Sequence, residues 1–189
     1  MIKPPSFQNN RIFVRSGIEM RDFTIADAQT YMELYKHPEI SPFIPHDMVP
    51  QTVEQSMRQI NNLFLRGRPY PYWAIVKSDT NTLIGTCGFI GHDTYHRRVE
   101  IAYDLHPNFQ GQGIMQDAIK VCIKYAFNKM NAQRIEAVML PENEKSANVL
   151  LKLGFQYEGI LRQYKFFRHK MHDVKSFSFV KSDYEKIFK

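Results

Sequence analysis

The sequence predicts one α/β domain, a mixed sheet covered by helices, and three observations carry that prediction. Segments with the two-residue period of strands alternate with segments of helical period in the order βααβββαβαββ. The strand-like run Arg98–Leu105 breaks at Pro107, crosses two glycines one residue apart, and opens an amphipathic helix. No run approaches the roughly 18 consecutive apolar residues of a membrane span, so no membrane partner is expected.

Residues 18–23 alternate as an opening strand. Thr24 then offers an N-cap for a helix over 25–36, which stops before His37-Pro38. Two prolines in 41–45 require a loop, and Thr52 starts a second helix that ends near Arg66, ahead of Gly67 and Pro69. Three strands follow, at Tyr72–Lys77, 83–90 and Arg98–Leu105, with turn chemistry at Asp79-Thr80-Asn81 between the first two. In the third, Val99, Ile101, Tyr103 and Leu105 share one face, and Arg98, Glu100, Ala102 and Asp104 the other. The helix after the glycines aligns Ile114, Ala118, Cys122 and Ala126, flanked by Met115 and Ile119, while Lys120, Lys124 and Asn128 face water. A strand over 134–140, a helix over 145–153 closed by Gly154, and a hairpin of strands over 156–163 and 175–181 complete the chain.

With 189 residues, 43% of them hydrophobic and 23% charged, the chain has the size and composition of one folded domain. Residues 1–10, with two prolines and two asparagines, read as a flexible arm, and 11–185 as the domain. No apolar stretch of the signal-peptide kind follows Met1. Cys87 and Cys122 lie in apolar segments without metal-ligand spacing, so they read as reduced core thiols of a cytoplasmic protein, and no metal is expected. The net charge of +6 suits an anionic cofactor or nucleic acid. Its densest part, Arg162 to Lys170, interleaves cations with aromatics and reads either as the solvated face of a hairpin or as an RNA contact.

The turn Gln110-Gly111-Gln112-Gly113-Ile114-Met115 points successive N–H groups at one spot beside a helix N-terminus, where partial positive charge accumulates. That is the physics of a diphosphate cradle, although the same turn also serves as a plain strand-to-helix connection. Neither GxxxxGK[ST] nor GxGxxG is completed here.

This element order and this turn resemble the GNAT superfamily of acetyl-CoA-dependent N-acetyltransferases. A second segment is similar to the family's other cofactor motif: Asn143-Glu144-Lys145-Ser146, then Leu153-Gly154-Phe155 and Glu158-Gly159. The opening Arg21-Asp22-Phe23-Thr24 and the late His172-Asp173-Val174 resemble the RimJ/RimL-type branch that acts on ribosomal-protein N-termini. The resemblance covers residues 11–185. It implies a GNAT-like, mostly antiparallel twisted sheet of about seven strands with four helices, and acetyl-CoA as cosubstrate. Two departures stand out. Met115 occupies the last place of the family's Q/R-x-x-G-x-G/A pattern, and Leu150 stands where many members carry a tyrosine that protonates the departing thiolate.

The resemblance implies that main chain near Tyr103, Asp104 and Leu105 pairs with the pantetheine arm and polarises the thioester carbonyl. Donors from Gln110, Gly111, Gln112, Gly113, Ile114 and Met115 would take the pyrophosphate, and Asn143 would bond the pantetheine arm. Ser146 would donate to the sulfur or order a water. Asn143 and Ser146 also read as ordinary helix-capping residues. Glu100 is the candidate base, acting through water, or else a partner of Arg97 or Arg98. Glu158 reads as structural, and His96 and His106 as strand-end residues.

The amine's pKa orders the acceptors. Near pH 7.5 about a third of an α-amine of pKa ~7.8 is neutral, against roughly 0.1% of a lysine of pKa ~10.4. A water-linked carboxylate therefore suits an α-amine, so a ribosomal or other protein N-terminus is the expected acceptor, with possible ribosome contact. A small amine (aminoglycoside, polyamine or amino acid) is the near alternative. A non-catalytic coenzyme-binding or ribosome-contacting protein is the distant one. Monomer and homodimer are both compatible with the sequence.

Overall fold

The computed structural model describes residues 11–65 and 70–188, with side chains described outside 64–65. Its strands are β1 (Ile12–Arg15), β2 (Ile18–Arg21), β3 (Tyr72–Lys77), β4 (Leu83–Asp93), β5 (Arg98–Leu105), β6 (Arg134–Met139), β7 (Gln156–Phe167) and β8 (Lys170–Val180). Its α-helices are α1 (Ala28–Lys36), α2 (Val53–Ile60), α3 (Ile114–Lys129), α4 (Glu144–Lys152) and α5 (Lys181–Phe188). The eight strands form one sheet in the order β1-β2-β3-β4-β5-β6-β8-β7. Pairing is antiparallel within β1 to β4 and within β6, β8 and β7, while β5 and β6 are parallel and joined through α3. A parallel pair needs such a crossover, because no tight turn can reverse the chain twice.

The predicted class holds, with an eighth strand, β1, and a fifth helix, α5, beyond the predicted order. Four residues made β1 too short to show a period. The C-terminal helix is held by tertiary packing: Tyr184 is buried against the Phe127 ring, and Asn128 donates to its hydroxyl at 2.9 Å. The closing hairpin is longer than expected, because Tyr164 to Phe167 and Lys170 to Val174 are also strand and the reversal falls at Arg168 and His169, both at positive φ. Its cations and aromatics are cross-strand neighbours there, with Lys165 opposite His172 and Phe166 opposite Met171. Residues 1–10, and Gly67 and Pro69 at the expected end of the second helix, lie outside the described residues.

Two compact units divide the described chain. The first runs to Gly88 and includes Tyr103–Ala118; the second comprises Phe89–Ala102 and the residues from Ile119 onward. In the first, Phe23, Tyr31, Leu34, Tyr35, Ile40, Ile60, Ala74 and Val76 form a continuous apolar cluster. The start of α1 is pinned beneath it. Thr24 and Asp27 make a capping box around a 3-10 turn, and Asp27 accepts two bonds of 2.8 Å from the Arg21 guanidinium. His37 ends α1 in an extended conformation, as the residue before Pro38 must.

In the second unit, Ile135, Ala137, Leu150, Phe155, Phe177 and Phe179 are buried. Arg134 forks onto Glu158, which also accepts from Ser178 Oγ at 2.7 Å, so Glu158 ties neighbouring strands together. Cys87 and Cys122 are buried free thiols. Among the described residues, no helix is long and apolar enough to cross a membrane, and no group of His, Cys, Asp and Glu is arranged to hold a metal.

Candidate active site

The glycine turn belongs to the first unit and is held from three sides. The His106 N–H donates to Ile84 O at 2.8 Å as β5 ends. His106 then caps a 3-10 turn over Pro107–Phe109, which closes when the Gln110 N–H donates to Pro107 O at 3.0 Å. The Gln110 side chain reaches back to Leu105 O at 2.9 Å, so this residue positions the turn through both of its donors. Gly111 and Gly113 both sit at positive φ (75° and 77°), the left-handed region where a side chain is strained. After them come the first-turn N–H groups of α3, which a helix leaves without internal acceptors.

Met115 does not crowd this turn. Its side chain is buried with that of Ile114, so the larger residue at the pattern's last place fills core. Arg15, 97 residues away in sequence, donates to Gln112 O at 2.6 Å and lies 3.6 Å from Asp117. This cation was invisible in the sequence, because nothing local to β1 marks it.

Leu105, Asp104 and Tyr103 lie just upstream of the turn. A Cβ on Gly85 would stand 2.5 Å from the Asp104 carbonyl oxygen, so β4 requires glycine there. The Asp104 carboxylate accepts from Tyr35 Oη at 3.1 Å and from the Thr86 hydroxyl. Thr86 Oγ1 lies 3.3 Å from Tyr35 Oη and 3.1 Å from Tyr72 Oη. Burial pushes the Asp104 carboxyl up to about 6, against the smaller opposing effects of those hydroxyls. The same burial holds both tyrosines well above the ordinary phenol range, so they remain protonated donors. From the sequence only the main chain of Asp104 is expected at the site; Tyr35, Tyr72 and Thr86 join it here through their side chains. The alternation along β5 put Asp104 with Glu100 but could not supply what packs on that face.

In the second unit, Glu100 is partly buried, and desolvation raises its carboxyl above the usual range. The Lys165 charge opposes that shift, and Glu136 adds a smaller rise. Arg98 pairs with Asp93 at 3.5 Å and with Glu136 at 3.9 Å. β5 is registered with β6 at Arg98 to Arg134, Val99 to Ile135 and Glu100 to Glu136; past those pairs both strands run on.

Asn143 caps α4, its Oδ1 accepting from the Ser146 N–H at 3.2 Å. The cap uses only the side-chain oxygen, so the amide nitrogen is a separate donor. Leu150, whose aliphatic side chain has no proton to give, is fully buried on α4 and is core. His96 lies in an exposed turn whose N–H donates to Asp93 at 2.8 Å. Burial, and then the neighbouring His37, lower the His106 imidazole below its ordinary range, its ring centre 5.2 Å from that of His37.

A parallel β5–α3–β6 crossover, opened by a doubly left-handed glycine turn, thus lies inside a mostly antiparallel sheet. Residues 18–156 match the Acetyltransferase (GNAT) domain, and the chain belongs to that family. It is an acetyl-CoA-dependent N-acetyltransferase. The chain is 36% identical over 170 residues to the uncharacterized N-acetyltransferase p20 of Bacillus licheniformis, covering 88% of this chain and 94% of that protein. The ribosomal-protein-S5-alanine acetyltransferase from Vibrio fischeri matches with a TM-score of 0.78 at 26% identity, over 93% of this chain and 98% of that one. A shorter stretch of 66 residues, 35% of this chain and 36% of the relative, is 36% identical to spermidine N(1)-acetyltransferase of Escherichia coli.

Proposed function

We propose that the chain acetylates the α-amine of a protein N-terminus, a ribosomal protein foremost, as a cytoplasmic monomer or homodimer. The observation that carries this reading is the near-complete structural match to an S5-alanine acetyltransferase. The acceptor arithmetic supports it as well, since an α-amine needs about 3.5 kcal/mol less deprotonation work than a lysine.

In this reading the pyrophosphate takes the N–H groups of Gly111, Gln112, Gly113, Ile114 and Met115, with Gln110 fixing the turn that presents them. Main chain at Tyr103, Asp104 and Leu105 takes the pantetheine arm and polarises the thioester carbonyl, the device of an oxyanion hole. Asn143 contributes its amide to the same arm, and Ser146 donates to the departing sulfur or orders a water there. Glu100, its carboxyl raised by burial, draws the displaced proton away through water.

The residues from Gln110 to Met115 fit an acetyl-CoA pyrophosphate, because they combine two left-handed glycines, a helix N-terminus and the Arg15 cation. The test is thiol release from acetyl-CoA over a panel of N-terminal peptides, polyamines and aminoglycosides, alongside calorimetry of coenzyme binding. Turnover with an alanine-initiated ribosomal peptide and none with spermidine supports the reading. The spermidine relative favours the reverse result, which would make the protein a small-amine acetyltransferase. Coenzyme binding without thiol release from any member of the panel would argue for a non-catalytic binder.

A further inference from the structure

The first unit contains a polar cluster that the coenzyme assignments leave unused. Four side chains from four elements meet at Asp104: Tyr35 from α1, Tyr72 from β3, Thr86 from β4, and the carboxylate itself from β5. Thr86 is fully buried and Tyr35 almost so, while Asp104 and Tyr72 retain partial access.

Hydrogen-bond accounting gives the cluster a direction. Each hydroxyl has one proton to donate. Tyr35 gives its proton to Asp104 Oδ2, and Thr86 donates to the same carboxylate. Thr86 must then accept from Tyr72, whose hydroxyl lies 3.1 Å away. Every donor in the chain thus terminates on the Asp104 carboxylate. The ionisable groups facing the cluster are Tyr31 and Tyr35 from α1, Tyr72 from β3 and Cys87 from β4, side-chain types that never carry positive charge. No cation is among the described groups that act on Asp104.

A carboxylate this enclosed, with hydroxyl donors but no cation, carries an unrelieved desolvation cost. Such a site favours an incoming cation, and the acetyl acceptor arrives as an ammonium. We propose that Asp104, held by Tyr35 and Thr86, receives the acceptor ammonium and takes its proton before acetyl transfer. This assignment rests on the acetyltransferase reading above and makes Asp104 a catalytic residue through its side chain.

One N–H bond of the ammonium breaks and an O–H bond forms on Asp104. The freed nitrogen lone pair attacks the thioester carbonyl carbon, forming the C–N bond. Collapse of the tetrahedral adduct breaks the C–S bond, and its electron pair stays on sulfur. A second nitrogen proton passes to that thiolate, so the products are the amide and free coenzyme thiol. Asp104 then returns its proton to solvent. A carboxyl raised to about 6 is mostly ionised at neutral pH yet binds a proton more firmly than an ordinary aspartate. Glu100, four residues earlier on the same face of β5, is then not the group that takes a proton from the nitrogen, so the two carboxylates are separable by mutation.

The deciding experiment compares the wild-type chain with Asp104→Asn, Tyr35→Phe and Glu100→Gln. It reads kcat/KM against pH for the best acceptor of the panel, and acetyl-CoA binding by calorimetry. Wild type should lose activity on acidification through about pH 6. Asp104→Asn should lower kcat/KM at least ~100-fold and abolish that limb, with coenzyme affinity within about threefold of wild type. Tyr35→Phe removes a donor to the anion and should move the limb to higher pH, whereas Glu100→Gln should leave its position unchanged. An Asp104→Asn protein that keeps the limb and most of its activity overturns the proposal. So does a carboxyl resonance of Asp104 titrating near pH 4 in 13C-labelled protein, a measurement that needs no acceptor. Failure of wild type to bind acetyl-CoA would instead overturn the enzymatic reading itself.

Discussion

The glycine turn and the Asp104 cluster adjoin each other in the chain, yet they are built in opposite ways. The turn is assembled from consecutive residues whose conformation is set by bonds to near neighbours, such as Gln110 to Pro107 and Gln110 to Leu105, with Ile84 and Arg15 as its long-range ties. The cluster is assembled from residues up to 69 positions apart, and none of its side-chain contacts is local. A locally built site survives disturbance elsewhere, because its geometry is set by φ angles and short-range bonds. A site gathered from four elements inherits the stability of every element that carries it. The two regions should therefore respond differently to the same perturbation.

The largest separation is expected from Arg21→Ala. Arg21 and Asp27 form a nearly enclosed bidentate pair, and Arg21 also donates to Asn81 Oδ1 at 2.7 Å. Removing one partner of a buried pair leaves an uncompensated charge and costs about 3–5 kcal/mol. The pair pins the start of α1, and α1 carries Tyr35. A drop in melting temperature of many degrees should accompany loss of the kinetic limb near pH 6. At a temperature where the variant is still folded, acetyl-CoA affinity should stay within a few-fold of wild type. Parallel loss of affinity and of the limb would show that the turn also depends on the α1 frame.

Asp104→Asn comes next, and its effect on stability has the opposite sign. The carboxyl is raised from 3.8 to about 6 in the fold, so the folded chain holds more protons than the unfolded one across that window. Stability therefore falls as pH rises from about 4 to about 6, and the full cost persists at neutral pH. A shift of about two units corresponds to at most about 3 kcal/mol. Asparagine removes the charge, so the variant should melt higher than wild type at pH 7.5, with the gain disappearing towards pH 4. Calorimetric scans across that range check it. A variant less stable than wild type at pH 7.5 would mean that the carboxylate's hydrogen bonds outweigh its desolvation.

The same contrast explains what was legible in the sequence. Pro107, the paired glycines and the 3.6-residue stripe behind them lie in one window, so the turn and α3 were readable directly. The strands Tyr72–Lys77 and Arg98–Leu105 were readable to the residue, because both are bounded by turn or loop residues and carry a clear alternation or apolar run. Asn143 and Ser146 were visible as a motif, and their capping bond accounts for part of that spacing. Tyr35, Tyr72 and Thr86 offered no signal, since an aromatic on an apolar helix face or a threonine in a buried strand is the ordinary content of a core. Only the sheet order, which brings β3, β4 and β5 side by side, gives them a shared purpose. Arg15 was hidden for the same reason, and the short β1 that carries it was not foreseen.

Gly113→Val tests the local side of the comparison at a smaller cost. A β-branched residue at a φ of 77° carries roughly 1–2 kcal/mol of strain. The strain can be relieved only by rotating the peptides whose N–H groups line the turn. Acetyl-CoA binding should weaken about tenfold or more, read by calorimetry, while the pH of the kinetic limb stays put at saturating coenzyme. A limb that moved with this substitution would tie the two regions together after all.

The smallest effect belongs to Tyr72→Phe, and its size measures how far the hydroxyl chain reaches. Tyr72 Oη lies 3.1 Å from Thr86 Oγ1, and Thr86 in turn donates to Asp104. Deleting the Tyr72 hydroxyl leaves the one bond that Thr86 donates, to Asp104, intact but unpolarised by the donor behind it. Cooperative strengthening of this kind is worth only a modest fraction of a hydrogen bond. The anion therefore loses a little of its stabilisation and the carboxyl rises slightly. The acidic limb of kcat/KM should move up by a few tenths of a pH unit, clearly less than for Tyr35→Phe, with turnover at pH 8 within about threefold of wild type. Equal shifts for the two phenylalanine variants would make Tyr72 a direct partner of the carboxylate in solution. No shift at all for Tyr72→Phe would confine the functional cluster to Tyr35, Thr86 and Asp104, with Tyr72 as packing against the Phe23 ring.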